Sequence, residues 1–312
     1  MKAAVISELG RPPELAERRD AAPGEGDVVV DILAAALNPL DITIGAGRFY
    51  GGHPELPFVP GAEGVGRADG RLVWVFGSGV GIARDGTLAE RVAVPGETLA
   101  SVPEDADPAV AAALGIGGVS GWLPLVWRAP VRAGETVVVL GATGSVGNIA
   151  VQTAKLLGAA RVIAVGRNPE RLERVRSLGA DAAVVLDERF GDSLQEACPE
   201  GADLIFDPLW GEPIRVALGV AKPRARIVHM GQAAGPEATL PSSVVRGKEL
   251  EIIGYSTFAA PRDVLAREYA RLVEVVVAGE VVVDLERLPL AEVGEAWLRQ
   301  AAGDATKLVV VI

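Results

Sequence analysis

Residues 136–168, TVVVLGATGSVGNIAVQTAKLLGAARVIAVGRN, constrain this chain more than any other segment. An apolar strand runs into a turn carrying Gly141, Gly144 and Gly147, then into a helix-period segment and a second apolar strand. Glycines let a backbone turn tightly and approach a pyrophosphate, whose charge is stabilised by the free N–H groups of the helix that follows. The spacing is GxxGxxG rather than the commoner GxGxxG, so the position between strand and helix carries the signal. It predicts a dinucleotide site made by Gly141, Thr143, Gly144, Ser145, Val146 and Gly147. In the helix, Val146, Ile149, Ala150, Thr153, Ala154 and Leu157 form one apolar stripe, and Gly158 stops it.

At the end of the second strand an NAD site would offer a carboxylate to the adenosine ribose hydroxyls. This chain has Gly166, Arg167 and Asn168 there, with Arg171 one helical turn later. A guanidinium fork suits a 2′-phosphate, so Arg167, Asn168 and Arg171 point to NADPH rather than NADH. The alternative for these arginines is a solvated turn.

The alternation of strand, glycine turn and helix continues through "NPERLERVRSLG", "AAVVL", "DLIFD", "ARIVHM" and "LEIIGYS", the pattern of a parallel sheet with helices on both faces. From Lys2 to about Ser101 the pattern is different, with short β-rich runs such as "DVVVDIL" and "RLVWVF" between Gly and Pro. The closing "LERLPLAEVGEAWLRQAAGDATKLVVVI" holds a helix and a strand and is expected to return to the first unit. The expected division is residues 1–118 and 283–312 for a mostly β unit, with 119–282 as an inserted nucleotide-binding unit. A chain of 312 residues is long enough for two cores.

Thirty Lys plus Arg against 41 Asp plus Glu gives a net charge of −11, which disfavours nucleic acid and anionic membrane as partners. The N-terminus lacks a signal-like apolar region and no apolar run of spanning length is expected, so the reading is a cytoplasmic protein without a membrane partner. Cys198 is the only cysteine and is expected on a surface helix or loop; with His53 and His229 it cannot build a Cys-rich zinc site.

"NPLD" at 38–41, "PFVPGAEGVG", "GTLAERVAVP", the glycine-rich segment, "LGAD" at 178–181 and the closing "TKLVVVI" occur in a specific order. Over essentially its full length the chain resembles the zinc-independent quinone oxidoreductases of the medium-chain dehydrogenase/reductase superfamily. The resemblance implies a Rossmann doubly wound parallel sheet inserted into a GroES-like, mostly β catalytic domain. In zinc enzymes of the superfamily the positions of Asn38 and Ala62 hold metal ligands, so no metal is expected here. Asn38 is then expected near the nicotinamide, orienting the acceptor through its amide. Asp41 is expected to fix the loop and Glu63 to act structurally.

Tyr50, in the departing loop "ITIGAGRFYGGH", is a candidate proton donor or substrate clamp, and His53 in the same loop a solvated residue. Gly231, Gly254 and Tyr255 follow strands at whose carboxyl ends ligands bind, and with Lys307 complete the cofactor contacts that the resemblance implies. The implied activity is metal-free, NADPH-dependent hydride transfer to a small-molecule quinone or carbonyl-activated alkene. The alternatives are a biosynthetic enoyl, iminium or ketone reductase and a non-catalytic NADPH-binding protein. The resemblance implies that "LEIIGYS" is the outer strand of its sheet, and an open edge there implies a homodimer. The alternative is a monomer whose edge is covered by "VVRGKE", with the charges of Arg246 and Lys248.

Overall fold

A computed structural model describes residues 1–304 and 306–312. It divides into two units, the first made of Met1–Gly117, Arg262–Gly279 and Val283–Ile312 and the second of Gly118–Pro261 with Glu280–Val282. The first unit opens with β1 (Lys2–Val5) paired antiparallel to β2 (Glu14–Glu17). There follow β3 (Asp27–Ala36), helix α1 (Pro39–Gly45), β4 (Glu63–Ala68), β5 (Arg71–Phe76), β6 (Arg91–Pro95), β7 (Leu99–Ser101) and α2 (Pro108–Ala113). Strand β3, rich in Val and Ile, pairs with both β4 and β6; at Gly66 a Cβ would meet the Asp31 carbonyl oxygen at 2.2 Å, so only glycine fits this crossing.

The second unit contains α3 (Val119–Leu123), β8 (Thr136–Val139), α4 (Ser145–Leu156), β9 (Arg161–Gly166), α5 (Pro169–Ser177) and β10 (Ala182–Val185). It continues through α6 (Phe190–Ala197), β11 (Ala202–Asp207), α7 (Gly211–Ala217), β12 (Ala221–His229), α8 (Ser242–Gly247) and β13 (Glu251–Gly254). The six strands are all parallel in the order β10-β9-β8-β11-β12-β13, which renumbered within the sheet is 3-2-1-4-5-6, the dinucleotide-binding order. The order reverses between β8 and β11. In α4, Ile149, Ala150, Thr153 and Ala154 are buried as the stripe predicts, while Val146 and Leu157 are half-buried.

Cys198 corrects the sequence reading: it is 1% exposed in the core formed by Val138, Ile163, Leu194 and Ile205, and burial pushes its thiol pKa up. A second correction concerns apolar length. The helical stretch Pro108–Arg128 is long and apolar enough to cross a membrane by length and composition, but most of it is buried within the protein.

The chain then supplies α9 (Arg262–Val277), β14 (Leu285–Pro289), α10 (Val293–Ala301) and β15 (Lys307–Val311) to the first unit. Its seven-stranded sheet runs β14-β15-β3-β4-β5-β7, with β6 joined to β3. Ile6, Leu37, Ile44, Phe58, Leu88, Trp297 and Leu308 fill one core of this unit. Helix α9 belongs here because Tyr269 is fully buried, stacks on Trp74 with ring centroids 4.2 Å apart and donates its hydroxyl to the Ala111 carbonyl at 2.9 Å.

Candidate functional site

In the second unit the turn after β8 has a defined shape. Gly141 takes φ +64°, a left-handed conformation that favours glycine, and an added Cβ at Gly147 would sit 2.3 Å from the Gly141 carbonyl oxygen. At Gly144, by contrast, the nearest atom would be 3.6 Å away, so space is left in front of it. Gly144 is the N-cap of α4 and among the described residues no side chain caps that helix, so the N–H groups of its first turn, at Ser145, Val146 and Gly147, are left for an anion. Thr143 packs against the end of β9, where a Cβ on Gly166 would meet it at 2.7 Å. These residues fit a pyrophosphate.

At the end of β9, Arg167 and Arg171 are both exposed. Asn168 is committed in part elsewhere: its Oδ1 accepts from the Arg171 N–H at 3.0 Å and caps α5. The sequence points to all three as phosphate contacts; the structure leaves the two guanidinium groups and the Asn168 Nδ2 for that role.

The carboxyl ends of β11 and β12 hold a cluster that sequence reasoning missed. Asp207 is fully buried; its Oδ1 accepts from the N–H groups of Leu209 at 3.0 Å and Trp210 at 2.9 Å, and its Oδ2 lies 3.0 Å from His229 Nδ1. Burial pushes the Asp207 pKa up, and these hydrogen bonds and the His229 ring oppose the shift. Gly231 packs against this loop, since a Cβ there would meet the Pro208 carbonyl oxygen at 2.6 Å. Tyr255 is 9% exposed, with its hydroxyl 3.2 Å from Thr257 Oγ1, which lies 3.1 Å from Ser120 Oγ. Burial pushes its phenol up to about 12. Gly254 accepts a 3.4 Å hydrogen bond from Arg128 Nε at its carbonyl.

In the first unit, Asn38, Asp41, Glu63 and Lys307 converge in a buried network. Asp41 Oδ2 accepts from the Asn38 N–H and Oδ1 from the Ala62 N–H, both at 2.8 Å, so Asp41 ties the start of α1 to the segment before β4. Glu63 Oε1 accepts from Asn38 Nδ2 at 2.7 Å, and Oε2 accepts from Trp74 Nε1 at 3.1 Å and the Ile116 N–H at 2.5 Å. Lys307 Nζ donates to Asn38 Oδ1 at 2.7 Å and lies 3.9 Å from Glu63 Oε1. Burial shifts both partners toward neutrality, Glu63 upward and Lys307 downward, while their mutual attraction opposes both shifts. Because only donors face Glu63, we read the pair as ionised. Gly115 is required beside it, since a Cβ there would meet Glu63 Oε2 at 1.7 Å.

The "Zinc-binding dehydrogenase" family model matches residues 145–276, a range that excludes positions 38 and 62. The chain is similar to the quinone oxidoreductase of Thermus thermophilus, solved also as a complex with NADPH, at 30% identity with a TM-score of 0.82 and all of both chains covered. Human quinone oxidoreductase is 28% identical over 84% of this chain and 82% of that protein. The chain belongs to the quinone oxidoreductase-like family of the medium-chain dehydrogenase/reductase superfamily. A further relative, the chloroplastic NADPH-dependent alkenal/one oxidoreductase of Arabidopsis thaliana, is 33% identical over 59% of this chain and 50% of its own length.

For this member of the quinone oxidoreductase-like family, the structure qualifies three sequence expectations. The Asn38 amide does not stand free to orient an acceptor: it is 3% exposed, with Nδ2 given to Glu63 and the Ala36 carbonyl and Oδ1 taken by Lys307. Lys307 is 4% exposed and donates into that network rather than outward to a cofactor. Tyr50 is 91% exposed, its ring 4.4 Å from that of Phe49, an open position that weighs against a proton donor in a closed site. His53 is an exposed loop residue, as expected, with Nδ1 2.7 Å from the Pro54 carbonyl oxygen.

Proposed function

We propose that the chain is an NADPH-dependent oxidoreductase that reduces a quinone or a carbonyl-activated alkene without a metal ion. The observation that carries this reading is the uncapped first turn of α4, set behind a glycine cradle at the point where the strand order reverses. When bound, the cofactor supplies a hydride. Ser145, Val146 and Gly147 hold the pyrophosphate through their N–H groups, and Arg167 and Arg171 hold the 2′-phosphate by charge-assisted hydrogen bonds. The similarity to quinone oxidoreductases and to an NADPH-dependent alkenal/one oxidoreductase supports both cofactor and acceptor class.

The first unit supports a metal-free reaction. Ala62 offers no ligand atom, the Asn38 amide is committed, and the negative charge of Glu63 is met by Lys307 inside the protein. Without a Lewis acid the acceptor must arrive already polarised, as quinones and enones do. Asn38 is a positioning residue in this reading, its amide locked by Lys307 on one side and Glu63 on the other. The same reading includes a cytoplasmic homodimer joined through β13.

Purified chain incubated with NADPH and a panel of quinones, enones and imines tests the activity by the loss of reduced cofactor absorbance. Turnover is expected with quinones or enones. Tight NADPH binding with no turnover across the panel would sink the enzymatic reading and leave a non-catalytic NADPH-binding protein.

A further inference from the structure

Trp210 takes φ +57° and ψ −159°, at the border of a region of backbone space that is essentially reserved for glycine. Its surroundings hold it there. The Trp210 N–H is fixed by Asp207 Oδ1, and the loop after β11 is tied to the loop after β12 by bonds from Met230 N to the Asp207 carbonyl at 3.0 Å and from Ala234 N to the Leu209 carbonyl at 2.8 Å. The half-buried indole lies against the His229 imidazole, with ring centroids 4.1 Å apart. A large aromatic kept in a strained backbone conformation, with two loops bracing it, points to a demand other than folding.

The donor set on Asp207 assigns the imidazole tautomer. An ionised carboxylate can only accept, so with two N–H groups on Oδ1 its Oδ2 accepts from His229 Nδ1–H, which places the ring proton on Nδ1. His229 Nε2 is then the ring nitrogen left for a ligand, on a side chain 27% exposed at the carboxyl end of β12.

The sheet order says which ligand part reaches this cluster. The pyrophosphate fits α4, which follows β8, and the adenosine phosphate fits Arg167, which follows β9 on one side of β8. A dinucleotide extended across the carboxyl ends must therefore carry its other end over β11 and β12. We propose that Trp210 and His229 form the wall that receives the nicotinamide riboside, the indole by stacking and His229 Nε2 by a hydrogen bond, an inference that rests on the cofactor reading above.

The test compares two ligands by calorimetry on the full chain: NADPH, and 2′,5′-ADP, which keeps the adenosine phosphates and lacks the nicotinamide riboside. Trp210→Gly and His229→Gln are expected to raise the NADPH Kd by about tenfold while the 2′,5′-ADP Kd stays within about twofold of the parent. The melting temperature checks that each variant folds. His229→Gln, which keeps the indole and the backbone, carries the test where Trp210→Gly does not fold. Unchanged NADPH affinity in the folded variants, or an equal loss for both ligands, overturns the assignment while leaving the cofactor reading intact. A parent chain that binds neither ligand overturns both.

Discussion

Lys307 Nζ donates to Asn38 Oδ1 across 2.7 Å, although the two residues are 269 positions apart in the chain. The ammonium also donates to the Leu37 carbonyl at 3.0 Å and lies 3.9 Å from Glu63, so a cation at the start of β15 closes a network begun at α1 and β4. Removing one partner of a buried pair leaves an uncompensated charge, at a cost of about 3–5 kcal/mol. Lys307→Met is therefore expected to destabilise the protein by about that amount, and adding Glu63→Gln to it to restore part of the loss. Urea unfolding of the single and double variants measures the coupling. A stable Lys307→Met protein would show that the pair is not charged.

The six strands of the second unit and helices α4 and α5 were legible because each carries its own signal: glycines between a strand and a helix, and apolar runs of the right length. Asp41 was legible in part, since its bond to the Asn38 N–H is local, while its bond to the Ala62 N–H reaches 21 positions along the chain. Lys307 was not, because nothing local to "TKLVVVI" says that its side chain turns inward to residues 37 and 38. Nor was Trp210, whose left-handed backbone is imposed by the packing of two loops against a sequence preference for glycine. Helix α9 reads as a helix from its sequence, but its place in the first unit depends on the stack of Tyr269 on Trp74, a contact between segments far apart in the chain. The signal that could have found the β11–β12 cluster was Asp207 and His229 ending two apolar strands.

Arg167 is exposed at the end of β9 with no carboxylate at the strand end beside it. NADPH is expected to bind more tightly than NADH, and Arg167→Asp to erase or reverse the difference. Loss of a charge-assisted bond to phosphate costs about 1.5–3 kcal/mol, roughly tenfold or more in affinity. Fluorescence titration of both cofactors decides the matter; equal affinities in the parent would refute the phosphate assignment.

Ala62 offers no ligand atom, the Asn38 amide is committed to Glu63 and Lys307, and among the described residues no group of three or more His, Cys, Asp or Glu is placed to hold a metal. The expected outcome is no stoichiometric zinc by elemental analysis and unchanged turnover after chelator treatment. One zinc per chain, with activity lost in chelator, would overturn the metal-free reaction.

Tyr255 gives a pH dependence with a defined sign. Burial raises its phenol to about 12 in the fold, above the value of about 10 for an unfolded tyrosine, so the folded state prefers the protonated form. Its contribution to stability is whole below about pH 10 and is lost as pH rises through about 12. Tyr255→Phe has no proton to lose, so its stability is expected to fall less steeply than the parent's over that interval. Parallel stability–pH curves for the two proteins would contradict the buried phenol.

Strand β13 is the last strand of the parallel sheet and among the described residues pairs only with β12, which leaves one edge of Glu251–Gly254 open there. Ile252 on that strand is 42% exposed, and an apolar residue on an unpaired edge invites pairing with another chain. A twofold axis that places β13 beside β13 of a second copy satisfies both edges with one self-complementary interface. Light scattering at micromolar concentration is expected to give twice the 32.3 kDa chain mass, and Ile252→Lys, which puts a charge on each side of the axis, to shift the protein toward the single-chain mass. A parent protein that keeps the single-chain mass as concentration rises would show that β13 remains a free edge, protected by its shortness and by Glu251 rather than by a partner.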